Sequence, residues 1–513
     1  MWSHFKVKVD TFFSLPSSQV YLNASCIKNF DISDKTRGAI ELNRILTSGD
    51  EYVKEKVTST LKTQDVLPLL TQMIALDDPD AAAAAASTVA KLSGDAEKMF
   101  LVNQGVIQNL CKCIGRPEIR CRREGCAGIW NLFSIDKTKT LIVEEKLYLH
   151  RLVQLLNDND PETLQYATSS IAALVSNPNF REAVVSSVAV PPLVKILHRD
   201  NLSAAQVAAS ALALLASVDE YRQIIVEEGA VQPLVNILAY IANPLQMRIR
   251  AAAAIVALTQ NSAIANSEVT LKAIPAFVSF LKCDVVDGRE VAASAIRKLS
   301  STARFAVEIA RNDGIKSLVE ALKDTHLNII VNSLHSLQGM MFNVDMITEI
   351  VDRNGLFEVI KWIRIGQPSV RSIALKLANK LISASSHALK SACNFCLIDV
   401  VIDQLRKSRD SKECEVCTSI LKHVCNTSLN YALQAESLGV AELMWAMLGT
   451  KIDPGRHGPL CEYNALFVIM CIHMTRQGRA KMPLCRKGPI LSELAQSRRK
   501  CAEVAHHMLS KCV

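Results

Sequence analysis

Hydrophobic positions recur along this chain in one phrase: a small or apolar residue, a branched one, two variable ones, then leucine or an equivalent. The phrase reads STVAKL up to Leu92, AGIWNL to Leu132, SSIAAL to Leu174, SALALL to Leu215 and AAIVAL to Leu258. It continues as SAIRKL to Leu299, NSLHSL to Leu337, LANKL to Leu381, SILKHV to Val424 and FVIMCI to Ile472. Successive end points lie 38 to 48 residues apart. A steady period of this length marks an array in which each unit buries its apolar face only by stacking on the next.

A second phrase precedes the first within each period. VIQNLCKCI, LVQLL, PPLVKIL, VQPLVNIL, IPAFVSFL, IKSLVEAL and LFEVIKWI carry apolar residues at i, i+3, i+4 and i+7, the stripe of an amphipathic helix. Glycine often stands just before it, at Gly105, Gly229, Gly314, Gly355 and Gly439, where it can end a short helix and let the chain turn sharply. Polar turns such as LDDPD (Leu76 to Asp80) and LNDNDPE (Leu156 to Glu162) separate the two phrases. The spacing therefore predicts a unit of short helix, glycine turn, second helix, polar turn and long third helix.

Two stretches, VEEGAVQPLVNIL (Val226 to Leu238) and GCAGIWNLFS (Gly125 to Ser134), make this unit resemble the armadillo repeat. The resemblance runs from about residue 25 to the end as about ten or eleven repeats. It implies an all-α fold, a right-handed α-solenoid, with residues 1–24 as an N-terminal segment and 25–513 as a single solenoid. The first and last units depart most from the pattern, as caps that must shield an open hydrophobic face do. The last cap spans about 474–513.

Composition agrees with helices: 49% of residues are hydrophobic but only 5% aromatic. The opening MWSHFKVKVDTFFSLPSS has charges inside its apolar run and does not read as a signal peptide. The longest apolar runs, such as ALFVIMCI (Ala465 to Ile472), are too short to cross a bilayer. These features point to an intracellular chain, cytoplasmic or nuclear, whose sixteen cysteines stay mostly as buried thiols. The net charge is 58 − 50 = +8, and Met474 to Val513 supplies 9 − 2 = +7 of it. The basic patch is thus terminal: Arg476, Arg479, Lys481, Arg486, Lys487, Arg498, Arg499 and Lys500. Without aromatic residues for base stacking it reads as a solvated cap, with an anionic surface as the alternative partner and nucleic acid disfavoured.

The one stretch with the look of metal chemistry is the pair CNFC (Cys393 to Cys396) and CEVC (Cys414 to Cys417), spaced as in a zinc ribbon. In the repeat register Cys396 fills the glycine position before a second helix, and Cys417 lies in a third helix. The starts of those helices would lie roughly 15 Å apart, whereas sulfurs on one zinc stand about 4 Å apart. No metal and no cofactor is expected, and the sequence carries none of the common phosphate-loop, nucleophile-elbow, dinucleotide or metalloprotease motifs.

What the armadillo resemblance implies is binding of other proteins along the concave face lined by the third helices. Import receptors of that family hold basic peptides with an asparagine ladder there and a tryptophan one turn earlier. The corresponding asparagine positions here are Lys91, Asn131, Ala173, Leu214, Ala257, Lys298, Ser336, Lys380 and His423, and no tryptophan stands four residues before any of them. A nuclear-transport mode is therefore disfavoured. The expected site is a groove formed by Lys91, Asn131, Ala173, Leu214, Ala257, Lys298, Lys380 and His423, suited to an amphipathic helix or a partly acidic segment. The function predicted is that of a non-catalytic scaffold or adaptor for a partner peptide or helix, with no small-molecule substrate.

Overall fold

The computed structural model describes residues 16–28, 31–48, 51–63, 65–259, 268–408, 410–449, 459–475, 488–495 and 502–510. Among the described residues every regular element is a helix, in the short, short, long order that the periodicity predicts. One repeat runs Asp95–Asn103, Val106–Cys113, Ile119–Leu132; another runs Val344–Asp352, Gly355–Ile365, Pro368–Ala384. The chain forms two compact units, one ending at Thr270 and the other beginning at Leu271.

The polar turns start the long helices by capping them. Asp78 accepts from the backbone N–H of Asp80 ahead of Pro79, and Asp160 accepts from that of Thr163 ahead of Pro161. Proline in the first turn costs no hydrogen bond, because that N–H has no partner inside the helix, and its fixed φ suits the helix. Asn201 and Asp410 cap Leu202–Leu215 and Ser411–Thr427 in the same way.

In most repeats the sharp turn between the first two helices uses one residue in the left-handed region; between Asp136–Glu144 and Lys146–Gln154 the junction residue Glu145 has φ −91° instead. Gly105, Gly229 and Gly439 occupy it at φ 77 to 78°. Asp313, Asn354, Cys396 and Val188 occupy it at φ 59 to 62°. The expectation that Gly314 and Gly355 make the turn is thus corrected by one residue. At these two positions the turn is taken by Asp313 and Asn354, and each glycine opens the following helix. There a Cβ on Gly314 would lie 2.5 Å from the carbonyl oxygen of Ile309, and one on Gly355 2.6 Å from that of Ile350. These two glycines serve close packing, whereas Gly105 and Gly229 have open space around the missing Cβ and serve backbone conformation alone.

Packing follows the stack. In the first unit each long helix lies against the next, from Ile32–Ser48 through Pro79–Ala90, Ile119–Leu132, Pro161–Ser176 and Leu202–Leu215 to Leu245–Leu258. In the second unit the series runs Val286–Leu299, Leu327–Gly339, Pro368–Ala384, Ser411–Thr427, Pro459–His473. Pro79–Ala90 is crowded along most of its length, and its run of six alanines Ala81 to Ala86 is wholly buried. A helix enclosed this way is apolar all round rather than striped.

Side chains one repeat apart tie together the second helices and the turns that follow them. Arg151 donates to the Cys111 carbonyl at 2.6 Å, Arg199 to Asp158 at 2.7 Å and Trp362 to Leu322 at 2.8 Å. Arg116 donates in the same way to Leu76. Each satisfies a carbonyl at a helix end that the preceding repeat leaves without an intrahelical partner.

The two CxxC strings face different surroundings. Cys396 is exposed on its left-handed turn, in the position glycine holds elsewhere. Cys417 is fully buried beside Cys414 and Cys461, and Cys393 lies near Cys425.

Candidate functional site

One face of the long helices in the first unit, with the short helices that follow them, encloses two adjoining cavities. The larger, about 640 Å³, lies between Pro79–Ala90, Asp95–Asn103, Ile119–Leu132 and Pro161–Ser176. The smaller, about 460 Å³, extends toward Thr47 and Lys54. Ala90, Lys91, Lys98 and Asn131 belong to both walls, so the two form one groove.

Three of the residues predicted from the sequence, Lys91, Asn131 and Ala173, line this groove. Leu214 and Ala257 lie on later long helices of the same unit and are partly exposed. Lys298, Lys380 and His423 belong to the second unit, where Lys380 is exposed and the other two are half-buried. Burial and neighbouring Lys422 hold the His423 pKa below its usual value. Lys422 itself sits over the Tyr463 ring at 4.6 Å and the Phe467 ring at 5.2 Å. All eight basic-patch residues, Arg476, Arg479, Lys481, Arg486, Lys487, Arg498, Arg499 and Lys500, lie outside the described residues.

Asn131 has an internal task. Its Nδ2 donates to the carbonyls of Val89 and Leu92, both at 2.9 Å, closing the end of the preceding long helix. Both amide hydrogens are spent, so it can offer a ligand only its carbonyl oxygen. Lys91, at the end of that same helix, donates to Thr47 Oγ1 at 2.7 Å.

The structure adds groove residues that the sequence reading passed over. Trp130 is 40% exposed, lines the larger cavity and meets Phe133 edge-on at 6.4 Å between centroids. It stands one residue before Asn131, where the search for tryptophan looked four residues back. Tyr166 and Phe133 complete the aromatic wall.

Lys98, Arg123 and Lys139 supply further positive charge. Lys98 and Lys139 come from the short helix after each long one, three residues beyond an aspartate: Asp95 with Lys98 at 3.9 Å, Asp136 with Lys139 at 3.0 Å. Arg222 repeats this with Asp219 at 2.6 Å, and its Nε donates to the Ala216 carbonyl at 2.7 Å. Cations there also complement the negative end of the long helix. The signal was present as DAEK, DKTK and DEYR, just past three of the leucine phrases.

Arg123 is held by Asp160 through Nε to Oδ2 at 3.0 Å and Nη2 to Oδ1. This guanidinium lowers the Asp160 pKa to about 2, with burial opposing and the Thr163 hydroxyl and N–H assisting. Glu124 and Glu162 are the acids of the larger cavity wall, against Lys91, Lys98, Arg123 and Lys139. The smaller cavity adds Lys54 and no acid. The groove is basic and aromatic, open to a chain segment rather than shaped around a small molecule. Among the described residues no group of three or more histidines, cysteines or acids is placed to hold a metal ion, and no helix is long and apolar enough to cross a membrane.

The sequence matches no family model and no curated protein. Solved structures do match. A structure from work on a phosphorylation switch controlling the interaction between cadherin and β-catenin is similar over 92% of this chain and 99% of that one, with a TM-score of 0.69 at 13% identity. An engineered protein is similar over 79% of this chain and 98% of its own, with a TM-score of 0.66 at 21% identity. At such identities the likeness shows the fold: an all-α solenoid of the armadillo kind.

Proposed function

We propose that this chain is a non-catalytic interaction scaffold that holds an extended or helical segment of a partner protein in the long-helix groove of its first unit. The observation that carries this reading is the pair of adjoining cavities walled by Trp130, Phe133, Tyr166 and the Lys91–Lys98 shared edge. Aromatic anchors in a concave, partly desolvated setting are what protein partners use for affinity, and charge at the rim sets specificity. The fold likeness to a structure from the cadherin and β-catenin system supports a scaffold role in the same sense.

The test is to fill the groove without touching the core. Ala173 is partly exposed on the cavity wall, so Ala173→Arg blocks it, and Trp130→Ala removes its largest anchor. Affinity purification of the wild-type chain and of both variants, compared by quantitative mass spectrometry, should show a common set of partners lost from the variants. Retention of every partner by both folded variants rules the groove out as the binding surface.

A further inference from the structure

We infer that the wall shared by the two cavities is an anchor for a carboxylate side chain, so the groove selects acidic partner segments, opposite in sign to a groove built for basic ones. This rests on the groove reading above and specifies its ligand.

Lys98 carries the argument. Its side chain reaches both cavities yet is only 10% exposed. Its ammonium has three hydrogens to place, and its surroundings offer the Ser134 hydroxyl at 3.5 Å and the Asp95 carboxylate at 3.9 Å, the latter 78% exposed. With only these long contacts, its donor capacity remains available on the cavity side for a carboxylate entering the groove.

The rest of the wall agrees. Lys91 is held by a hydroxyl rather than an acid. Ser93 lines the smaller cavity, and its buried Oγ has no hydrogen-bond partner. The groove walls together hold five cations, Lys54, Lys91, Lys98, Arg123 and Lys139, against Glu124 and Glu162. Arg123 is already engaged by Asp160 and Lys139 by Asp136 at 3.0 Å, and Lys91 and Lys98, the cations common to both cavities, form the electropositive edge. Trp130, in the same cavity, gives an apolar or aromatic residue next to the carboxylate a surface to pack on.

The experiment selects from a displayed library of random dodecapeptides with the full chain, then measures synthetic peptides by fluorescence anisotropy. The expected result is enrichment of sequences pairing Asp or Glu with an aliphatic or aromatic residue. Their affinity should fall at least about tenfold on Lys98→Met, which keeps the stem packing, and also on Asp/Glu→Gln in the peptide. Lys91→Gln is a second variant, at a partly exposed site where folding is not at stake, and should weaken binding in the same direction. Unchanged thermal melting confirms that the variants fold.

Enrichment of neutral or basic peptides that Trp130→Ala abolishes and Lys98→Met leaves intact keeps the groove and overturns the carboxylate anchor. Binding of phosphoserine peptides alone, with their Asp or Glu forms inactive, also overturns it. Failure to enrich any peptide sensitive to Trp130→Ala overturns the groove reading itself.

Discussion

Arg123 and Asp160 join two successive long helices by a two-pronged contact, Nε to Oδ2 at 3.0 Å and Nη2 to Oδ1. The same carboxylate receives the Thr163 N–H at 2.9 Å and the Thr163 hydroxyl at 2.7 Å, so one side chain both starts a helix and binds its neighbour. Stacking and capping are therefore coupled at the floor of the groove.

That coupling makes stability acid-sensitive. The Asp160 pKa is lowered from 3.8 to about 2 in the folded chain. Its contribution, ~2 kcal/mol from the shift, is thus complete above the unfolded value and is lost as pH falls from about 4 toward 2. Asp160→Asn retains a capping oxygen but removes the charge. Urea midpoints at neutral pH should drop by the equivalent of roughly 2 kcal/mol, and the steep loss between pH 4 and 2 should flatten. An unaltered acid limb in the variant would show that Asp160 does not supply this dependence.

Val188 stands in the left-handed turn at φ 60° with 64% of its surface exposed. A β-branched residue there pays for a crowded backbone and recovers little by burial. Val188→Gly places the residue that Gly105 and Gly229 use at the same turn. It should raise the denaturation midpoint by the equivalent of about 1 kcal/mol, while Val188→Ala, which keeps a Cβ, should gain less. A loss of stability on introducing glycine would mean that Val188 makes a contact worth more than the strain.

Thiol chemistry separates one cysteine from its neighbours. Cys396 is exposed, whereas burial pushes the Cys111, Cys425 and Cys461 thiols up to about 12 and Cys393 to about 11. Reactivity follows the thiolate and its access. Brief iodoacetamide labelling of the native chain at pH 8, read by peptide mass spectrometry, should modify Cys396 well before these four. Equal labelling would reveal local opening of the helices that cover them.

The groove was partly legible. The leucine phrase located the helix ends well enough to place Lys91, Asn131 and Ala173 on one wall, because helical period and repeat period together fix which residues share a face. Reading the asparagine position and the one four residues earlier missed Trp130, which lies a single residue, and so about 100°, from the asparagine position. It also missed Lys98, because the helix after the long one was not searched for groove residues.

The sequence alone determined the repeat, the helix order, the polar turns at Leu76 to Asp80 and Leu156 to Glu162, and the glycine character of the Cys396 position. These follow from local propensity and a stacking period that one chain displays many times over. Only the tertiary structure decided how individual polar atoms are used: that Asn131 spends its amide on Val89 and Leu92, that Asp313 rather than Gly314 takes the turn, and that Lys98 ends buried near the Ser134 hydroxyl of the next repeat. Such outcomes depend on hydrogen-bond partners about 40 residues away and on space measured in tenths of an ångström, which no pattern along the chain encodes.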